Sequence, residues 1–196
     1  MRWNPRWEPW IALGMGFFYL IGFFGHRLLA TLPWMLALTP FVLLLFGLLA
    51  LVPVLLERQT GVLIWAVAVF LATFALEAVG TATGKIFGPY TYGPTLGFRL
   101  LRVPLVIAFN WLLVILASVL LSARLLRHPV FAALLAAALA AGFDFLLEPT
   151  AIRLNYWTWQ AAGIPLQNYL AWFLIALTAA LSFTFSKISL RSLLAL

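Results

Sequence analysis

Charged residues are so sparse along this chain that they punctuate long apolar runs rather than alternating with them. Uncharged stretches cover Pro9–Gly25, Leu28–Leu56, Gln59–Leu76, Val103–Ala123, Pro129–Phe143 and Leu154–Ser186. Most of them approach or exceed the ~20 residues that carry an α-helix across a bilayer. The pattern predicts six transmembrane helices. The fifth run is short only because Asp144 interrupts it, and the sixth is overlong because a Tyr/Trp-rich loop precedes Pro165. Proline disfavours helical geometry in the residue before it, so Pro149 is expected to end the fifth helix near Leu147.

Composition sharpens this reading. With 65% hydrophobic and 9% charged residues and a mean hydropathy of +1.09, the chain carries more apolar surface than a soluble core can hide. The expected fold is an all-α integral membrane protein forming one polytopic domain over residues 1–196. Two N-terminal helices occupy 1–60, and helix-loop-helix units occupy 61–123 and 129–186. The opening "MRWNPRWEPW" is basic like a signal peptide, but it has no small-residue cleavage site. Its tryptophans suit the headgroup belt of a retained first helix.

No cysteine is present, so neither disulfide nor thiol chemistry is expected. The two histidines, His26 and His128, lie at opposite helix boundaries, unlike the clustered ligands of a redox metal, so no metal site is expected. A net charge of +7 spread singly among spans points to lipid headgroups and to the protein's own acids, not to nucleic acid. Counted by side, 7 Lys/Arg fall with the N-terminus, the 57–60 and 121–129 loops and the C-terminus, against 5 on the other side. That bias favours both termini in the cytoplasm.

Two connections, Gly80–Arg102 and Pro149–Gly163, break the helical pattern and resemble each other. Glu77 precedes Tyr90-Thr91-Tyr92 by 13 residues, and Asp144 precedes Trp157-Thr158-Trp159 by the same 13. Val103-Pro104-Leu105 and Ile164-Pro165-Leu166 then open the following helices, with Trp111 and Trp172 each seven residues past the proline. These spacings predict a duplicated helix-loop-helix, helices 3–4 and 5–6, related by a pseudo-two-fold axis along the membrane normal with a site between the copies. Helix parity alone puts Glu77, Asn110, Asp144, Glu148, Gln167 and Asn168 in one layer near one membrane face.

Only 5 acids exist in the chain, and three of them fall in that layer. A charged carboxylate inside a membrane helix costs about 2.5–3.5 kcal/mol on insertion scales, so these acids are functional candidates. Asp144 and Glu148, four apart, share a helical face and would repel if both were ionised, so one is expected to hold its proton at neutral pH. The competing reading is structural, with the acids paired to Lys85, Arg99, Arg102 or Arg153. Tyr90, Tyr92, Trp157 and Trp159 around the acids favour a site, because aromatic faces stabilise developing positive charge. Gly80, Gly84 and Gly88, spaced by four, are read as permitting close backbone packing.

Taken together, "EAVGTATGKIFGPYTYG…RVPLVIAFNW" and "DFLLEPTAIRLNYWTW…GIPLQNYLAWF" resemble the membrane carotenoid-biosynthesis family that contains the carotenoid 1,2-hydratases, over roughly Glu77 to Phe185. Where that family commonly has Asp-Pro, this chain has Glu148-Pro149. The resemblance implies cofactor-free hydration of a terminal C1,C2 double bond of an acyclic or monocyclic carotenoid, without metal. On that reading Asp144 donates the proton, Glu77 holds the water and Glu148 tunes the donor. Tyr90, Tyr92, Asn110, Trp111, Trp157, Trp159 and Asn168 would line the substrate site, with Arg102 and Arg153 balancing charge and Lys85 a weaker candidate for that role. Membrane lipids, other enzymes of carotenoid biosynthesis and a second copy of the chain are the partners that such a protein could take. A carotenoid end-ring cyclase or isomerase, or a non-enzymatic carotenoid- or lipid-binding subunit, are the competing functions.

Overall fold

The computed structural model describes residues 8–56 and 59–186. Arg2, Arg6, Arg58, Lys187 and Arg191, which carry most of the orientation argument, lie outside the described residues, as does most of the N-terminal segment. Six helices run through the described chain: α1 (Glu8–Gly25), α2 (Leu32–Leu56), α3 (Thr60–Thr83), α4 (Leu105–Leu125), α5 (Pro129–Arg153) and α6 (Leu166–Phe185). Five of them, α2 to α6, are long and apolar enough to cross a membrane, while α1 contributes a shorter apolar stretch, Pro9–Gly25. This is an integral membrane protein whose outer surface is apolar, with Phe17, Phe41, Ile64, Leu146 and Phe185 all more than 60% exposed.

Pro149 does not end the fifth helix. α5 continues through it to Arg153. An interior proline removes a backbone bond and typically costs ~3 kcal/mol or more. Here its ring faces outward, and the last turn is closed by the Leu154 N–H donating to the Thr150 carbonyl at 2.9 Å. Glu148 is meanwhile held fast inside. Asp144 and Glu148 therefore stay one turn apart on one unbroken helix. α3 likewise passes Gly80 and ends at Thr83, where Gly84 takes a left-handed φ of 67° and its N–H bonds back to the Gly80 carbonyl at 2.7 Å. At Gly80 itself a Cβ would meet the Phe87 ring at 2.5 Å, so glycine there is a packing requirement.

α5 packs most extensively on α6 and α4. Its inner face is a column of small side chains, Ala133, Ala136, Ala137 and Ala140, all nearly inaccessible, which lets neighbouring backbones approach closely where lipid offers no hydrophobic drive. Val62, Trp65, Leu112, Ile115, Ala176 and Phe183 complete that core. A second core, rich in aromatics, sits at the end of the bundle where α3 and α5 finish and α4 and α6 begin, and includes Phe87, Tyr90, Trp111, Tyr156, Trp157 and Trp172.

The two aromatic triplets meet there. β1 (Tyr90–Tyr92) pairs antiparallel with β4 (Trp157–Trp159) in the register Tyr90↔Trp159, Thr91↔Thr158, Tyr92↔Trp157. The pairing is symmetric about the threonines. Its flanks repeat the symmetry, with the Gly93 N–H donating to the Tyr156 carbonyl at 2.8 Å and the Gln160 N–H to the Pro89 carbonyl at 3.0 Å. Gly88 (φ 98°) and Asn155 (φ 54°), each two residues ahead of a triplet, both occupy the left-handed region that glycine and asparagine tolerate best. A short hairpin of β2 (Arg99–Leu100) and β3 (Val103–Pro104) leads into α4.

Because strand side chains alternate, the pairing turns the aromatic rings inward and leaves Thr91 and Thr158 exposed on the other face. Directly opposed residues in such a pair lie about 4.5–5.5 Å apart, inside the ~4.4–6.8 Å that a disulfide bridges. With no native cysteine to interfere, Thr91→Cys/Thr158→Cys should cross-link on mild oxidation, seen as faster migration on non-reducing gels. Thr91→Cys/Thr150→Cys should not, and equal cross-linking in both would refute the register.

Candidate functional site

Side chains turned inward by β1 and β4 close over the acidic ends of α3 and α5. They form a cavity of about 30 Å³, room for a water molecule or two. Glu77, Asp144 and Glu148 line it together with Tyr90, Tyr92, Asn110, Trp111, Trp157, Trp159 and Asn168. Relative exposures of 2%, 3% and 1% for Glu77, Asp144 and Glu148 place all three carboxyls away from the outer surface. Glu77 on α3 and Asp144 on α5 thus contribute to one cavity, as the paired spacing predicts.

Burying a carboxyl is costly unless donors replace its water. Each acid has its own. The Tyr90 hydroxyl donates to Glu77 Oε2, and the Tyr90 and Tyr92 hydroxyls lie 3.4 Å apart. Trp157 and Trp159 both donate their indole N–H to Glu148 Oε2, at 2.9 and 3.0 Å. Asn168 Nδ2, in the first turn of α6, donates to Asp144 Oδ2 at 2.6 Å and reaches Glu148 Oε1 at 3.5 Å. Burial, followed by the nearby Glu77 carboxyl, raises the phenol pKa values of Tyr90 and Tyr92 well above the usual tyrosine range, so both hydroxyls keep their protons at neutral pH.

Aromatic rings form the remaining walls. Trp111 and Trp172, the tryptophans seven residues past each helix-opening proline, stack with centroids 3.3 Å apart and planes 13° from parallel. Phe87 extends the stack on Trp172 at 5.0 Å, and Tyr90 tilts against Trp159 at 4.9 Å. The cavity therefore combines oxygen acceptors with electron-rich faces that attract a cation. Among the described residues no three His, Cys, Asp or Glu side chains converge as metal ligands would.

The basic residues are elsewhere. Arg102, Arg153 and Lys85 are exposed, and Arg99 donates to the Gly93 carbonyl, bracing the loop after β1. Among the described residues the acids are held by hydroxyl, indole and amide groups, and no ion pair joins them to a basic side chain. The expectation that Arg102 and Arg153 balance charge at the site is corrected accordingly: Arg102 lies in the turn between β2 and β3, and Arg153 ends α5 on its outer side. Gln167 stays at the same end of the bundle but does not line the cavity, donating instead to the Lys85 and Ile86 carbonyls and so clamping the loop after α3.

Sequence reasoning omitted Trp172, Phe143, Leu147, Ile107 and Val114 from this lining. For Trp172 the signal was available in its match to Trp111. The others are apolar residues among many, and nothing local marks them.

Hydrogen bonds to a charged group contribute about 1.5–3 kcal/mol. Trp159→Phe should destabilise the detergent-solubilised protein by an amount in that range, and much less in a Glu148→Gln background. A double-mutant cycle on thermal or denaturant unfolding measures this coupling. Additivity within about 0.5 kcal/mol would show that the indole does not support Glu148.

A family model described as carotenoid biosynthesis protein matches residues 38–192. Across 139 residues the chain is 34% identical to the bisanhydrobacterioruberin hydratase of Haloarcula japonica, covering 67% of this chain and 47% of that protein. The chain thus spans about half the length of the curated relative it matches. No solved structure matches.

Proposed function

The chain belongs to the carotenoid biosynthesis protein family, and from that premise we propose that it hydrates a terminal C1,C2 double bond of an acyclic or monocyclic carotenoid. The observation carrying this reading is the convergence of acids from α3 and α5 on one water-sized cavity walled by aromatic rings. The relative's name supplies the reaction class.

The donors on each acid support a distinct role for it. Glu148 accepts two indole N–H groups on one oxygen, and indoles can only donate, so it serves as a fixed acceptor beside Asp144. Asp144 accepts a single amide N–H on Oδ2 and is the proton donor. It protonates the less substituted alkene carbon, C2, and the electron pair of the double bond forms the new C–H bond. Positive charge develops at the tertiary C1 against the Trp111–Trp172 stack, which stabilises it. A cavity water oriented by Glu77 attacks C1 and gives its proton to that carboxylate. A second proton transfer through cavity water returns the proton to Asp144. Atoms balance as alkene plus water to tertiary alcohol, with no change in redox state.

Asp144→Asn preserves shape and the Asn168 contact but removes the transferable proton. Turnover should fall by at least ~10²-fold with the protein still inserted and monodisperse. Unchanged turnover would remove Asp144 from the mechanism.

Incubating the pure protein with lycopene or gamma-carotene in isotopically labelled water should give a tertiary alcohol carrying solvent oxygen, detected by mass spectrometry. An isomer of unchanged mass with a new ring would assign cyclisation instead. Intact polyenes with folded protein would assign binding alone.

A further inference from the structure

A cavity of about 30 Å³ admits water but has no room for a polyene chain, so the chain must lie elsewhere. α3 and α6 leave a much larger space between them. A groove of about 360 Å³ runs along the two helices, with Ala68, Ala72 and Leu76 of α3 facing Leu174, Thr178 and Ser182 of α6. The alanines give it width, and exposed Ala68, Ala72, Leu174 and Thr178 show that it opens sideways.

Its ends are defined. At one end Trp65 bridges the helices, donating its indole N–H to the Ala179 carbonyl and Ser182 Oγ, both at 3.1 Å, and meeting Phe183 edge-on at 4.9 Å. At the other end the groove abuts the acidic cavity: Leu76 lines the groove and the adjacent Glu77 lines the cavity, while on α6 Leu174 and Ile175 line the groove and Trp172 the cavity. From Trp65 to Leu76 is 11 residues, about 16 Å of helix at ~1.5 Å per residue. Polar atoms along this length are already satisfied. Thr73, Thr178 and Ser182 each donate to a carbonyl of their own helix, at 2.9, 2.8 and 2.8 Å. The occupant therefore needs no hydrogen-bonding groups over that distance. It must be extended, and one end must reach the acids.

We propose that the α3–α6 groove is the seat of the substrate's hydrocarbon chain, holding the stretch next to the reacting end in an extended form and delivering that end past Leu76 to Glu77 and Asp144. The inference rests on the hydratase reading for the identity of the reacting end. Its binding consequences are measurable without turnover.

Ala72→Phe places a ring in the middle of the groove. Val67→Phe, on an exposed position of the same helix outside the groove, is the control. In an Asp144→Asn background reconstituted in nanodiscs, bound lycopene should show an induced visible circular dichroism signal. Ala72→Phe should weaken lycopene binding at least tenfold, and Val67→Phe by less than twofold. In the otherwise native protein, the turnover ratio for lycopene over a short acyclic isoprenoid hydrocarbon such as myrcene should fall at least tenfold in Ala72→Phe and hold in Val67→Phe.

Lycopene binding that survives Ala72→Phe overturns the proposal. So does survival accompanied by loss of co-purifying phospholipid, which would give the groove to a lipid acyl chain. If lycopene binds in the groove-dependent way but is recovered unhydrated from the native protein, the groove stands and the hydratase reading fails.

Discussion

Three carboxyl groups sit where the surrounding lipid and protein offer almost no dielectric screening, and the arrangement of the site follows from satisfying them. Water would do this at a surface. Inside the bundle the donors must come from the chain, and they come from three separate places: Tyr90 on β1, Trp157 and Trp159 on β4, and Asn168 at the start of α6. Asn168 reaches Asp144 from α6, which packs on α5, but the tyrosine and tryptophans reach the acids only because the two long connections fold back over the helix ends. The antiparallel pairing of β1 with β4 holds them there. Strand alternation then sorts the residues, rings inward to the acids and threonines outward.

Symmetric in frame, the site is asymmetric in chemistry. The triplets pair about Thr91 and Thr158, and Trp111 stacks on its counterpart Trp172. Yet the triplet on one side carries tyrosines and on the other tryptophans. A phenol both donates and accepts, so Tyr90 can follow a change of protonation at Glu77. An indole only donates, so Trp157 and Trp159 hold Glu148 in one role. In the proposed reaction that difference separates the wall that takes a proton from the wall that gives one. The volumes divide the labour similarly, with a water-sized cavity for bond making and a groove more than ten times larger beside it for a chain.

How far the sequence alone reaches can be judged residue by residue. Apolar runs located all six helices, because span length and hydropathy are local properties that lipid enforces directly. The acids and aromatics of the cavity were legible for a related reason: in a chain this poor in polar groups, each polar group inside a span has to be accounted for. Their equal 13-residue spacing from the triplets even indicated that Glu77 and Asp144 would share a site. Pro149 misled, since local sterics say that a helix should end there, while an outward-facing ring and an anchored Glu148 carry it on to Arg153.

Tertiary structure decided the rest. Whether Arg102 and Arg153 turn toward the acids depends on the β2–β3 turn and on the rotation of α5, and both place them outside, so among the described residues the carboxyls are satisfied by hydrogen bonds from neutral groups rather than by ion pairs. That Tyr90 faces Trp159 rather than Trp157 is a matter of strand direction, which spacing does not encode. The groove between α3 and α6 belongs to no motif: it lies where alanines of α3 leave space beside α6, and Trp65 bridges the two helices at one end of it. Sequence determined which groups this membrane protein must bury and satisfy, because burial in lipid is a constraint on each residue singly. Only the fold determined which groups satisfy which, and where space is left over, because those are relations between residues distant along the chain.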